Sequence, residues 1–276
     1  MELTTKSQLR GEGEIPVLGF GTWELYGEEA YRSIRYALEL GIRHIDTASM
    51  YENEKEVGRA VRDSGIPRKE IFITSKVWNG QQGYDSTLKA FEQSLKRLGT
   101  DYLDMYMVHW PVKGTRIDTY KAILSLKTKG RIKNAGVCNY LVEHLEEIIK
   151  ASKPLPVVNQ IELHPFDFKY RKPLIDFCSK HKIQLEAYRP LVKAIYNEND
   201  VLQNISRKYG VTAPQLLIRW GLQKDFVVIP RSSNPEHIKQ NTDVFAFTIS
   251  PKDMETLDGL NQNLSSTSLF SPEDFL

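Results

Sequence analysis

The feature that most constrains this chain is a regular alternation of short apolar segments with longer amphipathic ones. Most of the short segments lack polar alternation, which is typical of parallel strands buried on both faces. The longer segments carry apolar residues at helical spacing. We therefore predict strands at 17–20, 44–46, 71–77, 103–110, 132–139, 157–163, 183–188 and 226–232. The predicted helices lie at 28–40, 53–63, 86–98, 118–130, 141–152, 171–181, 201–210, 214–224 and 235–241.

About eight strand–helix units in 276 residues predict an α/β fold, a (β/α)8 TIM barrel. A doubly wound open sheet is the alternative. The segment GFGTWE at 19–24 disfavours it, because it lacks the third glycine of a dinucleotide-binding fingerprint. No stretch has the composition of a linker between domains, so we expect a single domain that spans residues 1–276.

Composition argues against several classes of protein. The chain has 41% hydrophobic residues and a formal net charge of +2 with both signs interspersed, so we expect a large core and no nucleic-acid partner. No run approaches ~18 apolar residues and the first residues form no apolar leader, so we expect no membrane partner and a cytoplasmic location. The 2 cysteines, Cys138 and Cys178, give neither a disulfide framework nor metal-ligand spacing. We expect a monomer.

Polar side chains stand at the ends of three consecutive predicted strands, where the active sites of such barrels lie. Asp46 and Tyr51 follow one strand, and Lys76 and His109 end the next two. A lysine in an apolar strand costs free energy unless its charge is paired. Each of these residues could instead have a structural role only: Lys76 could form a salt bridge with Asp46, and His109 could be a hydrogen-bonded core histidine. Because all four converge on one end of the barrel, we favour a catalytic site.

Eight sequence blocks resemble, in order and spacing, the signature blocks of the aldo-keto reductases. They are GFGTW (19–23), HIDTASMYENEKEVG (44–58), ITSKVW (73–78), YLDMYMVHWP (102–111), GVCNY (136–140), VNQIELHP (158–165), EAYRPL (186–191) and IPRSSNPEHIKQN (229–241). The resemblance covers the chain from Val17 to about Phe247. It is greatest to the bacterial-type members that reduce diketogluconates, glyoxals and other small aldehydes.

The resemblance implies an NADPH-dependent reductase of small carbonyl compounds, such as aldehydes, ketones, sugars or keto-sugars. It implies a catalytic tetrad of Asp46, Tyr51, Lys76 and His109. The reaction delivers hydride to the carbonyl carbon and a proton to the developing alkoxide. A free tyrosine has a pKa of about 10, and a neighbouring ammonium lowers it. Lys76 is therefore expected to tune Tyr51 as proton donor, Asp46 to hold Lys76, and His109 to orient the carbonyl oxygen.

The resemblance also implies the residues that bind cofactor and substrate. Tyr188 is expected to stack on the nicotinamide, and the amides of Asn139 and Gln160 to hold its carboxamide. Arg231 and Ser232 are expected to hold the 2′-phosphate. The full set of expected cofactor contacts is Gly21, Thr22, Asp46, Cys138, Asn139, Gln160, Tyr188, Leu191, Arg231, Ser232, Ser233, His237, Gln240 and Asn241. The expected substrate contacts are Trp23, Tyr51, Trp78, His109 and Trp110.

Several residues depart from the family's pattern. Arg189 and Val192 replace a serine and a glycine, and Lys193 stands where a serine usually contacts the pyrophosphate. This loop is expected either to hold phosphate through charge or to adopt a different conformation. Cys138 replaces a carboxamide-binding serine. His237 replaces an arginine that packs on the adenine, so we expect a weaker preference for NADPH, with NADH as a further cofactor.

Two other functions stay open at this point. A nucleotide-sensing or structural protein of the same fold would bind the cofactor without needing the Tyr51–Lys76 pair. A metal-dependent hydrolase or isomerase would need clustered ligands, and the 6 histidines form no such cluster at strand ends, so we expect no metal. The sequence does not identify the physiological substrate. We expect the loops at 112–118 and 190–200 and the tail at 264–276 to set it.

Overall fold

A computed structural model describes residues 1–11, 13–151, 153–192, 198–260 and 271–276. An 8-stranded sheet runs parallel in chain order, and a parallel bridge between Leu18 and Val228 joins its two edges. Across this seam the amides of Gly19 and Gly21 donate to the carbonyls of Val228 and Pro230. The sheet therefore closes on itself. The predicted (β/α)8 barrel is confirmed, and the alternative of a doubly wound open sheet is wrong.

The elements have the following bounds. The strands are β1 (Lys6–Gln8), β2 (Glu14–Pro16), β3 (Phe20–Gly21), β4 (His44–Asp46), β5 (Phe72–Val77), β6 (Leu103–Val108), β7 (Ile132–Cys138), β8 (Val158–Glu162), β9 (Gln184–Tyr188) and β10 (Val227–Val228). The α-helices are α1 (Gly27–Glu39), α2 (Glu54–Asp63), α3 (Tyr84–Leu98), α4 (Arg116–Thr128), α5 (Val142–Ala151), α6 (Phe168–Lys180), α7 (Asp200–Tyr209), α8 (Ala213–Gln223), α9 (Pro235–Thr242) and α10 (Pro251–Asp258). Short 3-10 helices occupy Ser49–Tyr51, Arg68–Glu70, Asn79–Gln81 and Pro272–Phe275.

Two elements lie outside the predicted pattern. The antiparallel hairpin β1–β2 precedes the barrel strands β3–β10. Its Ile15 packs with Phe72, Val158 and Val227, the first residues of three barrel strands, so the hairpin covers the N-terminal end of the barrel. Helix α10 follows the last unit. The Ser-Pro pair at its start, with the hydroxyl of Ser250 accepting from an amide in the first turn, is a recognisable helix start.

The helices surround the barrel and pack on the outward side chains of the strands. Helices α2 and α3 approach each other closely, since a Cβ on Gly58 would stand 2.1 Å from the carbonyl oxygen of Leu98. Only glycine fits there. Inside the barrel, Met105 and Met107 fill the space near its covered end. None of the helices in the described ranges is long and apolar enough to cross a membrane. The single domain stays a prediction.

Candidate active site

The C-terminal ends of the barrel strands surround a cavity of about 980 Å³, the size of a generous small-molecule pocket. Nearly all of the residues predicted to form the site lie on its wall. They are Gly21, Trp23, Asp46, Tyr51, Trp78, His109, Trp110, Cys138, Asn139, Gln160, Tyr188, Leu191, Arg231, Ser232, Ser233, His237, Gln240 and Asn241. We name two parts of the cavity. The inner end is Asp46, Tyr51, Trp78 and His109, with Lys76 buried behind them, and the outer end is Arg231, Ser232, Ser233 and His237.

Two predicted site residues, Thr22 and Lys76, are fully buried behind the wall. The hydroxyl of Thr22 donates to the carbonyl of Asp46 at 2.9 Å, so this side chain joins two strand ends rather than facing the cavity. Beside it lies Asn53, whose amide donates to the carbonyls of Thr22 and Leu25 at 2.7 and 2.9 Å. Asn53 thus fixes the loop that carries Trp23.

Lys76 lies under the inner end with a complete set of partners. Its ammonium is 2.6 Å from Oδ1 of Asp46, 3.0 Å from the carbonyl of Thr47 and 3.3 Å from the phenol oxygen of Tyr51. An ammonium has three N–H donors, and each has an acceptor here. A charged lysine can remain in the barrel because it is paired and hydrogen-bonded. The salt bridge and the link to Tyr51 are therefore parts of one cluster.

The charges in this cluster set the protonation of the phenol. Burial alone lowers the pKa of Lys76, but Asp46 and Tyr51 together hold that pKa above its ordinary value. Burial raises the pKa of Tyr51 above its ordinary value, and Lys76 opposes the rise without cancelling it. Lys76 lowers the pKa of Tyr51, as expected, but burial outweighs it, so the pKa lies above that of a free tyrosine. Tyr51 is protonated at neutral pH and can give a proton.

His109 forms the opposite side of the inner end. Its ring meets those of Tyr51 and Trp78 edge-on, with centroids 5.6 and 5.1 Å away. Burial and, next, the charge of Lys76 hold the pKa of His109 well below its usual range. The imidazole is therefore neutral. Its Nδ1 is buried and has no hydrogen-bond partner among the described residues.

Aromatic rings enclose the space in front of Tyr51. The ring of Trp23 lies 4.9 Å from that of Tyr51, centroid to centroid. The ring of Trp110 stacks on Phe275 at 5.6 Å, so the last residues of the chain reach the cavity's rim. Of the segment 264–276 predicted to set specificity, 264–270 lies outside the described residues, as do 193–197 of the predicted loop 190–200.

The floor of the cavity is an interlocked set of amides. Nε2 of Gln160 donates to Oδ2 of Asp46 at 2.8 Å. The phenol of Tyr188 donates to Oδ1 of Asn139 at 2.8 Å, and Nδ2 of Asn139 donates to the carbonyl of His109 at 3.1 Å. Each side chain is held from at least one neighbouring strand end, which fixes its direction before any ligand arrives.

The outer end is more exposed and carries the cation of Arg231. Arg231 is exposed, and its guanidinium donates to the carbonyls of Trp23 and Glu24 at 3.1 and 2.6 Å, which bridges the two edges of the barrel seam. His237 is also exposed, on the first turn of α9. Val192 has a φ of 50°, a left-handed conformation that a β-branched residue adopts only under strain. Lys193 lies outside the described residues.

Sequence reasoning missed several residues that matter here. The wall also includes Glu24, Met50, Pro190, Thr212, Pro214, Ile229 and Asn234, besides Arg189, which was noted only as a departure. Thr212 begins α8 with a capping box and Pro214 follows in its first turn, a start signal visible in the sequence. Glu186 was missed although it interrupts an apolar strand as Lys76 does. No group of three or more His, Cys, Asp or Glu residues in the described ranges could hold a metal ion.

Comparisons with known proteins agree with this geometry. The model of the aldo/keto reductase family matches residues 17–262. A glyoxal reductase of Bacillus subtilis is 44% identical over 251 residues, which cover 91% of this chain and 90% of that protein. A 9,11-endoperoxide prostaglandin H2 reductase of Trypanosoma cruzi is 41% identical over 259 residues, covering 92% of this chain and 91% of that one.

Solved structures are similar over nearly the whole chain. An aldo/keto reductase from Brucella melitensis has a TM-score of 0.90 and 43% identity, covering 94% of this chain and 100% of its own. A mutant of Gox0644 in complex with NADPH has a TM-score of 0.92 and 39% identity, covering 99% of this chain and 98% of its own.

Proposed function

Because this chain belongs to the aldo/keto reductase family and is an NAD(P)H-dependent oxidoreductase, we propose that it reduces small aldehydes and ketones with NADPH, and that Tyr51 donates the proton. The observation that carries the proposal is the buried ion pair of Lys76 and Asp46, whose ammonium also reaches the phenol of Tyr51 at the wall of the cavity. A protein that only bound a nucleotide would have no need of this arrangement.

The cavity suits an elongated dinucleotide. Its floor offers the ring of Tyr188 and the amides of Asn139 and Gln160, which fit a nicotinamide and its carboxamide. Its outer end offers the cation of Arg231 and the start of α9, which fit a phosphate. NADPH, when bound, supplies the hydride. A structural neighbour in complex with NADPH supports this choice of cofactor.

The side chains of the inner end supply the proton and hold the oxygen that receives it. As the carbonyl carbon gains hydride, its oxygen becomes an alkoxide, and the phenol of Tyr51 gives it a proton to form the alcohol. The phenolate left behind is stabilised by the ammonium of Lys76, which Asp46 keeps charged. The neutral imidazole of His109 donates a hydrogen bond to the same oxygen and orients it.

The aromatic walls favour small carbonyl compounds. Trp23, Trp78 and Trp110 line the cavity around Tyr51 and give this part of it aromatic walls. The similarity to a glyoxal reductase supports short dicarbonyls as substrates, with keto-sugars as a second group.

The test is reduction of a panel of carbonyl compounds by the purified protein, followed as loss of reduced-cofactor absorbance. The panel holds glyoxal, methylglyoxal, a keto-sugar and an aromatic aldehyde, each with NADPH and with NADH. We expect turnover with NADPH and the short dicarbonyls. Tight NADPH binding with no turnover on any member would contradict the reductase and favour a nucleotide-sensing protein.

A further inference from the structure

Glu186 is a fully buried acid in β9, and the reductase site as described above gives it no part. It is the register partner of Gln160 on the neighbouring strand β8. Nε2 of Gln160 lies 3.0 Å from Oε2 of Glu186 and 2.8 Å from Oδ2 of Asp46. A side-chain amide has two hydrogens, so both are taken by carboxyl oxygens from two other strands.

These two bonds determine which way the amide of Gln160 faces. With both hydrogens taken, its Oε1 is the atom left to accept. It accepts from the thiol of Cys138 at 3.6 Å and has a second lone pair for a ligand at the cavity wall. We propose that Glu186 is a positioning residue of the reductase site, which acts by holding Gln160 with its oxygen available to the carboxamide of the cofactor. The inference rests on the proposed function, since only that function brings a carboxamide to Gln160.

The groups around Glu186 explain how an acid can occupy this place. The charges of Asp46 and Lys76 act on Glu186, Glu186 in turn acts on the thiol of Cys138, and Nε2 of His44 is 3.4 Å from Oε1 of Glu186. Burial and, next, the charge of Asp46 raise the pKa of Glu186 to about 8. Burial and, next, Lys76 lower the pKa of His44 to about 3. At pH 7 the contact between Glu186 and His44 is therefore between two neutral groups.

The protonated form keeps the charge of the barrel interior balanced. Asp46 then faces one ammonium, that of Lys76, and no second carboxylate competes for it. His44 is itself confined, because a Cβ on Gly19 would lie 2.7 Å from its Nδ1. Glu186 therefore contacts a confined neighbour at Oε1, without a hydrogen bond, and holds Gln160 through Oε2. Ionisation of Glu186 would add a second carboxylate charge to the surroundings of Asp46 and Lys76, the pair that supports Tyr51.

The first test is cofactor affinity in two variants and one control. Glu186→Leu removes the acceptor, and Glu186→Gln replaces it with an amide oxygen. The control is Glu54→Gln, since Glu54 is as buried but bonds Ser75 and Arg97 instead. We expect Glu186→Leu to weaken NADPH and NADH equally, by about tenfold, the effect of one lost hydrogen bond. Glu186→Gln should bind both cofactors with affinities within about threefold of the wild type. Glu54→Gln should change neither affinity.

Equal affinities in Glu186→Leu and the wild type would overturn the inference, as would a loss confined to NADPH. A wild type that neither binds NADPH nor reduces any aldehyde would overturn the proposed function together with it. If the wild type binds and reduces while Glu186→Leu matches it, only the role of Glu186 fails.

The second test is the pH profile of kcat/KM. The wild type should lose activity as pH rises through about 8, because ionised Glu186 adds a carboxylate charge that acts on Asp46 and Lys76, the pair that supports Tyr51. Glu186→Gln cannot ionise, so its activity should stay level across that range while its KM stays near that of the wild type. If Glu186 had only a structural role, the wild type and Glu186→Gln would have the same pH profile. The same fall in activity in both proteins would therefore contradict the inference.

Discussion

At the inner end of the cavity the charged groups are buried in the barrel, whereas at the outer end they lie on its surface. Lys76 and Asp46 have side-chain exposures of 0% and 3% and share hydrogen bonds from several strands. Arg231 and His237 are exposed and belong to the loop and helix that follow the last strand. Buried dipoles and charges are fixed before the reaction starts, while exposed cations are screened by salt.

The difference suggests a division of labour between the two ends. Substitutions at the inner end should change the rate of the chemical step and the stability of the barrel together, because the same contacts serve both. Substitutions at the outer end should change which cofactor is bound and leave the barrel intact. The predictions below test this division, beginning with the largest effect.

Replacing Lys76 with methionine should have the largest effect. It removes the cation that stabilises the phenolate of Tyr51, so turnover should fall by ~10²–10⁴-fold. It also leaves Asp46 buried and unpaired, which should lower the free energy of unfolding by about 3–5 kcal/mol. Without Lys76 the pKa of Tyr51 should rise further, which moves any residual pH dependence upward. Kinetics and denaturant unfolding measure these effects, with the exposed Lys69→Met as control. Unchanged stability in Lys76→Met would contradict a buried ion pair.

Replacing Glu186 with glutamine should alter how stability depends on pH. The pKa of Glu186 is raised from 4.5 to about 8 on folding, so its contribution to stability is fully present below pH 4.5 and is lost as pH rises towards 8. The loss is at most about 1.4 kcal/mol per pH unit. The stability of Glu186→Gln relative to the wild type should therefore grow from pH 5 to pH 8. Thermal unfolding at both pH values measures it, and parallel curves would show that Glu186 is already ionised at pH 5.

At the outer end, Arg231→Ala should weaken NADPH and spare NADH. A charge-assisted bond to the 2′-phosphate is worth ~1.5–3 kcal/mol, so the Kd for NADPH should rise by roughly ten- to a hundredfold. The variant also loses two bonds to the carbonyls of Trp23 and Glu24, which should raise KM for the aldehyde slightly. Arg231→Lys, which keeps the charge, is the control. Equal losses for both cofactors would mean that Arg231 serves the loop and not the phosphate.

The smallest effect should come from His237→Arg. This change adds a guanidinium to the first turn of α9, beside the same phosphate, and is expected to tighten NADPH by about threefold to tenfold. NADH should bind as before, since it lacks that phosphate. Titration of both cofactors at two salt concentrations measures the change, and a gain in NADPH affinity that salt does not reduce would contradict an exposed electrostatic contact.

The inner end could be predicted from sequence because polar residues stand there in otherwise apolar strand segments. Lys76 and His109 interrupt apolar strands, and strand ends meet at one side of a barrel, so their convergence follows from the topology alone. Glu186 carries the same signal in the segment IQLEAY and could have been found by it. The direction in which the pKa of Tyr51 shifts could not be predicted, because it depends on how completely the fold excludes water from the phenol.

The outer end and the first hairpin were less predictable. The direction of the long side chain of Arg231 depends on where the loop at Trp23 and Glu24 lies across the seam, which is a tertiary fact. The strands β1 and β2 have three residues each and alternate too briefly to be recognised. Their register depends on the barrel end that they cover. The left-handed backbone of Val192 likewise has no local cause in its side chain.

The most direct measurement of the central claim combines NADPH binding and glyoxal reduction in Tyr51→Phe. This variant removes one hydroxyl and keeps the ring that packs against Trp23 and His109. If Tyr51 donates the proton, the Kd for NADPH should stay within about twofold of the wild type while turnover falls by ~10²–10⁴-fold. Turnover equal to that of the wild type, with the chemical step rate-limiting, would contradict the account.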